Sequence, residues 1–168
     1  MAFDDPAAGD GVLTAAEYDN LVDAVKNQTD MGTFTISAAG SLSVTGVGFQ
    51  PSQLMFWCES VGGVNQDRAG TGGDGATNYA GSSVGFAADD GTRQVVNSGM
   101  SGNSVNNSSH FSSDTGEVIA LRYAGQNGTI SSGGVLQAEL TSFDSDGFTL
   151  NVTDFNQTEP VFYIANRF

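Results

Sequence analysis

Leu54-Met55-Phe56-Trp57-Cys58, and late in the chain Val161-Phe162-Tyr163-Ile164-Ala165, are apolar at every position. Runs of this kind read as central strands covered on both faces, and they are the expected spine of the fold. Around them the period is two. Phe34 and Ile36 alternate with Thr33, Thr35 and Ser37, Leu42 and Val44 alternate with serine and threonine, and Phe148, Leu150 and Val152 alternate with Thr149, Asn151 and Thr153. That is the pattern of strands with one wet face.

Turn signals fall between these strands. Asp89-Asp90-Gly91 separates Val84 to Ala88 from Arg93 to Val96, and Asp144-Ser145-Asp146-Gly147 separates Val135 to Phe143 from Phe148 to Val152. Both read as hairpins. With a further strand over Val118 to Tyr123, about eight short strands follow one another without an intervening helix. The expected fold is mainly β, an antiparallel, jelly-roll-like β-sandwich. Two polar stretches, Gly70 to Gly81 and Ser98 to Thr115, read as long loops projecting from it.

Ahead of the strands lies one helix. Thr14 and Glu17 have the spacing of a capping box, Leu13 and Tyr18 that of a hydrophobic staple. Tyr18, Leu21, Val22 and Val25 repeat at i, i+3, i+4, i+7 and form one narrow apolar stripe. A helix of about three turns is not stable alone in water, so the stripe is expected to dock on a partner surface. Residues 1–30 are read as a docking or oligomerisation segment, with Asn27 to Asp30 as hinge, and residues 31–168 as the sandwich.

Nineteen acidic residues oppose five basic ones, a formal net charge of −14 on 168 residues. Charges screened over about 8 Å in physiological salt are screened over about 3 Å at molar salt. Such a surface is suited to concentrated brine, where hydrated carboxylates keep a protein soluble. The same charge argues against nucleic acid or anionic lipid as partner, since both need basic patches. The single cysteine, Cys58, lies inside the first apolar run and reads as a buried, inert thiol. No stretch has the apolar length of a membrane helix, and Met1 to Pro6 has no signal-peptide character. Synthesis in the cytoplasm without membrane insertion is the expectation.

Chemical motifs are weak. Gly70-x-Gly72-x-x-Gly75 spells a dinucleotide fingerprint without a following helix, and Gly81-x-Ser83-x-Gly85 spells a hydrolase elbow, but the one histidine, His110, sits in a polar tract. Asp10 to Glu17 matches only the second half of a calcium loop. The aspartates at 89, 90, 144 and 146 read as turn residues. No catalytic residue, metal or cofactor is expected. Asn-x-Ser/Thr triplets begin at Asn27, Asn106, Asn107, Asn127, Asn151 and Asn156, and those at Asn106 and Asn107 are expected to be the accessible ones. The expected partner-contact residues are Asn78, Tyr79, Asn106, Asn107, His110 and Phe111, all in the two polar tracts.

The segment Thr45-Gly46-Val47-Gly48-Phe49-Gln50-Pro51-Ser52-Gln53-Leu54-Met55-Phe56-Trp57 resembles one found in small β-sandwich structural proteins of tailed viruses and proviruses. Ser83 to Ala87, Asp146 to Asn151 and Val161 to Ala165 are further landmarks of the resemblance. Leu13 to Val22 is similar to the helical lead-in of virion attachment proteins. Together with the acidic composition, the resemblance implies a surface protein of a haloarchaeal tailed virus, as a head turret, a decoration or a tail fibre. It implies self-assembly as a trimer or, at a capsid vertex, a pentamer, contact with other virion proteins, and a host glycan or surface-layer protein as receptor. The competing expectation is a carbohydrate-binding β-sandwich module of a non-viral halophile protein.

Overall fold

The computed structural model describes residues 14–25, 28–61, 65, 79–101, 107–122 and 136–168. Helix α1 (Ala15–Val25) is followed by β1 (Gln28–Ile36), β2 (Gly40–Thr45), β3 (Gln53–Glu59), β4 (Tyr79–Ala88) and β5 (Arg93–Ser101). Then come β6 (Asn107–Ser113), β7 (Glu117–Leu121), β8 (Leu136–Asp144), β9 (Gly147–Phe155) and β10 (Glu159–Arg167). All pairings are antiparallel, in a six-stranded sheet ordered β1-β10-β3-β4-β5-β6 and a four-stranded sheet ordered β2-β9-β8-β7. The mainly β, two-sheet sandwich is as expected. Among the described residues it has ten strands, where about eight were expected.

The local signals explain the local structure. Thr14 caps α1 as its spacing predicts: Glu17 N donates to Thr14 Oγ1 at 3.2 Å and Thr14 N donates back to Glu17 Oε2 at 2.8 Å. Leu13 of the staple lies outside the described residues. The first hairpin turns at Asp89 to Gly91, where Asp90 Oδ1 accepts from Thr92 N at 2.8 Å. The second closes with Asp144 paired to Gly147.

The core fills the space between the sheets. Phe148, wholly buried, stands edge-on to Phe56 and Tyr163, with centroids 5.4 Å and 5.3 Å away, and Phe34 completes the cluster at 5.8 Å. Ile36, Leu54, Leu150 and Val161 extend it with almost no exposure. The cluster joins β1, β3 and β10 to β9, and each ring contact of Phe148 crosses from one sheet to the other.

Four expectations need correction. The apolar runs are indeed central, β3 and β10 lying side by side inside the six-stranded sheet, but they are not covered on both faces. Leu54, Phe56 and Cys58 are buried while Met55 and Trp57 are 44% and 52% exposed, and Phe162 is 54% exposed between buried Val161 and Tyr163. The sandwich has two layers, so a central strand has one buried face however apolar its sequence. The strand buried on both faces is β7, where Val118 to Leu121 all lie within 1% exposure.

Second, the tract from Ser98 to Thr115 is not one long loop. Ser98 to Ser101 continue β5, and residues 107–113 form β6 at the sheet edge. An edge strand has a neighbour on one side only, and β6 is held there by its backbone pairing with β5. Third, Tyr79 to Gly81 belong to β4, while residues 70–78 of the other expected loop lie outside the described residues. Fourth, the sandwich begins before residue 31: Gln28, Thr29 and Asp30 pair with Arg167, Asn166 and Ala165. Backbone pairing with the last strand turns the expected hinge into the start of β1, with Asn27 outside the described residues.

Candidate functional site

The outward positions of the six-stranded sheet line up across the strands. One row runs Thr33, Phe162, Trp57, Val84, Val96, Ser112, and the next runs Met31, Ile164, Met55, Phe86, Gln94. Met31 is 72% exposed and Val96 55%, so with Met55, Trp57 and Phe162 they make a continuous apolar surface. A shallow depression of about 420 Å³ adjoins it, lined by Ser82, Val84, Val96, Ser98 and Ser112 among others. Monomeric proteins rarely leave contiguous apolar patches of more than a few hundred Å² in water, and larger ones mark interaction sites. The uninterrupted apolar runs placed Met55, Trp57 and Phe162 on a covered face. The missing signal was the number of layers.

The surface is almost free of charge. Among the described side chains at outward register positions of β1, β10, β3, β4, β5 and β6, Glu59 alone carries a carboxylate, and it lies at one end. The polar members are Thr29, Thr33, Gln53, Gln94, Ser112 and others like them. In a chain with nineteen acidic residues, so neutral a face contrasts with the rest of the surface.

The second apolar surface is the helix stripe. Tyr18 and Leu21 are 59% and 43% exposed and Val22 is half-buried. Val25 lies in the last turn of α1. Tyr18 and Leu21 of the stripe are therefore uncovered.

The expected contact residues are not gathered in projecting loops. Tyr79 pairs with Ser101, Asn107 with Ser101 from the other side, and His110 with Ser98, all in the sheet. Phe111 opposes Asn97, and the Arg122 guanidinium lies 3.5 Å from its ring centroid. Strand pairing holds these four residues along β4 and β6, where they were expected on loops. Asn78 and Asn106 lie outside the described residues.

The buried titratable groups serve as structural ties. Glu159, fully buried, accepts from Val61 N at 2.9 Å, Gln157 Nε2 at 2.7 Å and Ser60 Oγ at 3.3 Å, and so stitches the end of β10 to the turn after β3. Burial, then the charges of Glu159 and Glu59, pushes the Cys58 thiol far up, which agrees with an inert side chain. Among the described residues, no three His, Cys, Asp or Glu side chains come together as a metal site. Asp146 does more than turn a hairpin. Its Oδ2 and Oδ1 accept from Gly46 N at 3.1 Å and Gly48 N at 2.6 Å, clasping a loop whose two glycines have φ of +88° and +84°. Sequence spacing could not show this link, because it spans about a hundred residues.

Tyr163 is titratable and informative. Its hydroxyl donates to Asp30 Oδ2 at 2.7 Å. Burial first, then the hydrogen bond and charge of Asp30, pushes it up to about 12. An unfolded tyrosine titrates near about 10, so the folded state holds this proton more tightly. The resulting stabilisation is whole below about pH 10 and is lost as pH rises through about 12. Of the four tyrosines, one is expected to ionise about two units late in a spectrophotometric titration, and Asp30→Asn should bring its midpoint down only part of the way. A Tyr163→Phe variant that still shows a late tyrosine would refute the assignment.

No family model matches the chain, and no curated protein or solved structure matches it.

Proposed function

We propose that the chain is a non-enzymatic structural subunit displayed on the virion of a halophilic tailed virus, as a turret or decoration of the head or a fibre of the tail. The observation that carries this reading is the uncovered stripe of α1, ahead of a sandwich that is complete without it. A capped helix of eleven residues with exposed Tyr18 and Leu21 gains its stability from a partner. An assembly segment joined to a displayed domain has this form, and a homo-oligomer, trimer first and pentamer second, would supply the partner surface.

The resemblance to virion sandwich proteins supports the same reading. Its landmarks meet in the fold: Asp146 holds the loop Gly46 to Gly48, and Gly85 pairs with Phe56. They form one scaffold, and the role of that scaffold is read from the helix and the charge. Contact with a host glycan or surface-layer protein would be a further task of the displayed domain.

The second reading, a carbohydrate-binding module, draws on one observation. Trp57 and Phe162 are paired neighbours, both about half exposed on a flat sheet, and exposed aromatic faces can stack on sugar rings.

The test joins salt and truncation. Full-length chain and a form lacking residues 1–27, ending just before Gln28 joins β1, are compared in about 0.1 M and 2 M potassium chloride. Screening shortens from about 10 Å to 2–3 Å over that range, so both forms should melt markedly higher in high salt. In a reconstituted virion or in infected cells, the truncated form should keep its β-type circular dichroism and fail to enter particles. Equal melting in the two salts would remove the halophile part of the proposal. Normal incorporation of the truncated form would remove the docking role of α1.

A further inference from the structure

We propose that two copies of this chain associate face to face through the outer surface of the six-stranded sheet, around Trp57 and Phe162. This goes beyond the virion reading and does not depend on it. Exposed apolar side chains, Met31, Met55, Trp57, Phe162 and Val96, stand in two adjacent rows that cross β1, β10, β3, β4 and β5. A helix-type docking site would need a groove; this is a sheet, and the natural cover for a sheet is another sheet about 10 Å away, with strands within about 30° of parallel.

Charge selects the partner. Each copy carries a formal −14, so any approach that brings two ordinary surfaces together opposes carboxylates across the contact. The outer sheet face, with Glu59 at its end as the described carboxylate, is where two copies can meet without that penalty. A basic partner would instead require acidic groups on this face, and Glu59 alone does not supply them.

Size is sufficient. Six strands about 4.8 Å apart, each presenting about seven residues at about 3.3 Å, make a face on the order of 600 Å² in plan. Two such faces together remove on the order of 1,200 Å² or more from water, which reaches the range of specific protein interfaces. Trp57 at the middle, beside Phe162 and Met55, has the aromatic and sulfur-containing character that interface centres favour.

The chain contains a built-in reporter, because Trp57 is its single tryptophan. Sedimentation velocity and tryptophan emission are measured on the full chain in 2 M potassium chloride between about 1 and 100 µM. The expected result is a species at high concentration with twice the mass of the dilute one, and emission that moves to shorter wavelength in step with it. The double variant Met55→Thr/Phe162→Thr, which keeps strand-forming residues at both positions, should halve the mass at high concentration with unchanged circular dichroism. Val96→Thr, a milder change at the side of the patch, should weaken association about tenfold. Leu21→Ser on the helix should leave this step in place.

Several outcomes would overturn the proposal. One is a wild-type chain whose mass the Met55→Thr/Phe162→Thr variant does not halve at any concentration in the range, whether or not Trp57 emission already lies at short wavelength. Another is association that Leu21→Ser abolishes and the sheet variants do not. A third is a monomeric chain whose Trp57 emission shifts on adding a soluble oligosaccharide, which would assign the face to sugar. Failure of the virion reading would be seen separately, in particle incorporation.

Discussion

Gly85→Ala is expected to yield no stably folded protein at 25 °C. Gly85 lies in β4 between Phe56 of β3 and Val95 of β5, and its open side faces β7. A Cβ added there would sit 1.6 Å from the carbonyl oxygen of Val118 and 2.6 Å from its carbon. Both are backbone atoms, so no rotamer change relieves the overlap. The neighbouring strand cannot easily retreat, because Ala120 N donates to Ser83 Oγ at 3.0 Å and β7 pairs with β8. Close-packed interiors transmit such strain instead of absorbing it, and a loss above about 4–5 kcal/mol would consume most of a typical domain's 5–15 kcal/mol. Circular dichroism and denaturant titration provide the check. Gly81→Ala is the control, since its added Cβ would find its nearest atom, Ser98 O, at 3.3 Å; it should cost about 1 kcal/mol or less. A Gly85→Ala protein that melts within a few degrees of wild type would show that β4 and β7 do not meet in this way.

Phe148→Ala carries the second-largest expected effect. Phe148 is wholly buried where the two sheets meet, against Phe34, Phe56 and Tyr163. Truncating such a ring costs about 3–5 kcal/mol, part transfer and part cavity, and lowers the melting temperature by roughly 10–20 °C for a domain of this size. Phe162→Ala, on the outer face and 54% exposed, should cost far less, about 1 kcal/mol. The pair measures which way the central strands face. Equal losses at both positions would restore the both-faces-covered reading and contradict the uncovered sheet face.

Signals that act within a few residues were legible in the sequence. The capping box of Thr14 and Glu17, the aspartate turns at 89–91 and 144–147, and the period of two in β1, β2 and β9 depend on neighbours along the chain, and they stand where expected. The central place of β3 and β10 was legible too, because apolar runs are drawn to the middle of a sheet. β6 was not, since Asn107-Ser108-Ser109-His110-Phe111-Ser112-Ser113 forms a strand by pairing with β5 and has little alternation of its own. The partner residues assigned to loops there became strand residues for the same reason.

Composition and local pattern by themselves determined that this chain is a mainly β protein with one capped amphipathic helix, a buried cysteine and a strongly acidic surface. Each of those properties is set by side-chain chemistry and spacing along the chain. The tertiary structure alone decided which side of β3 and β10 meets water, that Asp146 clasps the Gly46 to Gly48 loop, and that Gly85 must be a glycine. These depend on how many layers stack and on which distant backbones touch. An apolar residue states that it prefers burial, but whether anything lies above it is a property of the whole assembly of strands, and here Trp57 and Phe162 are left without cover.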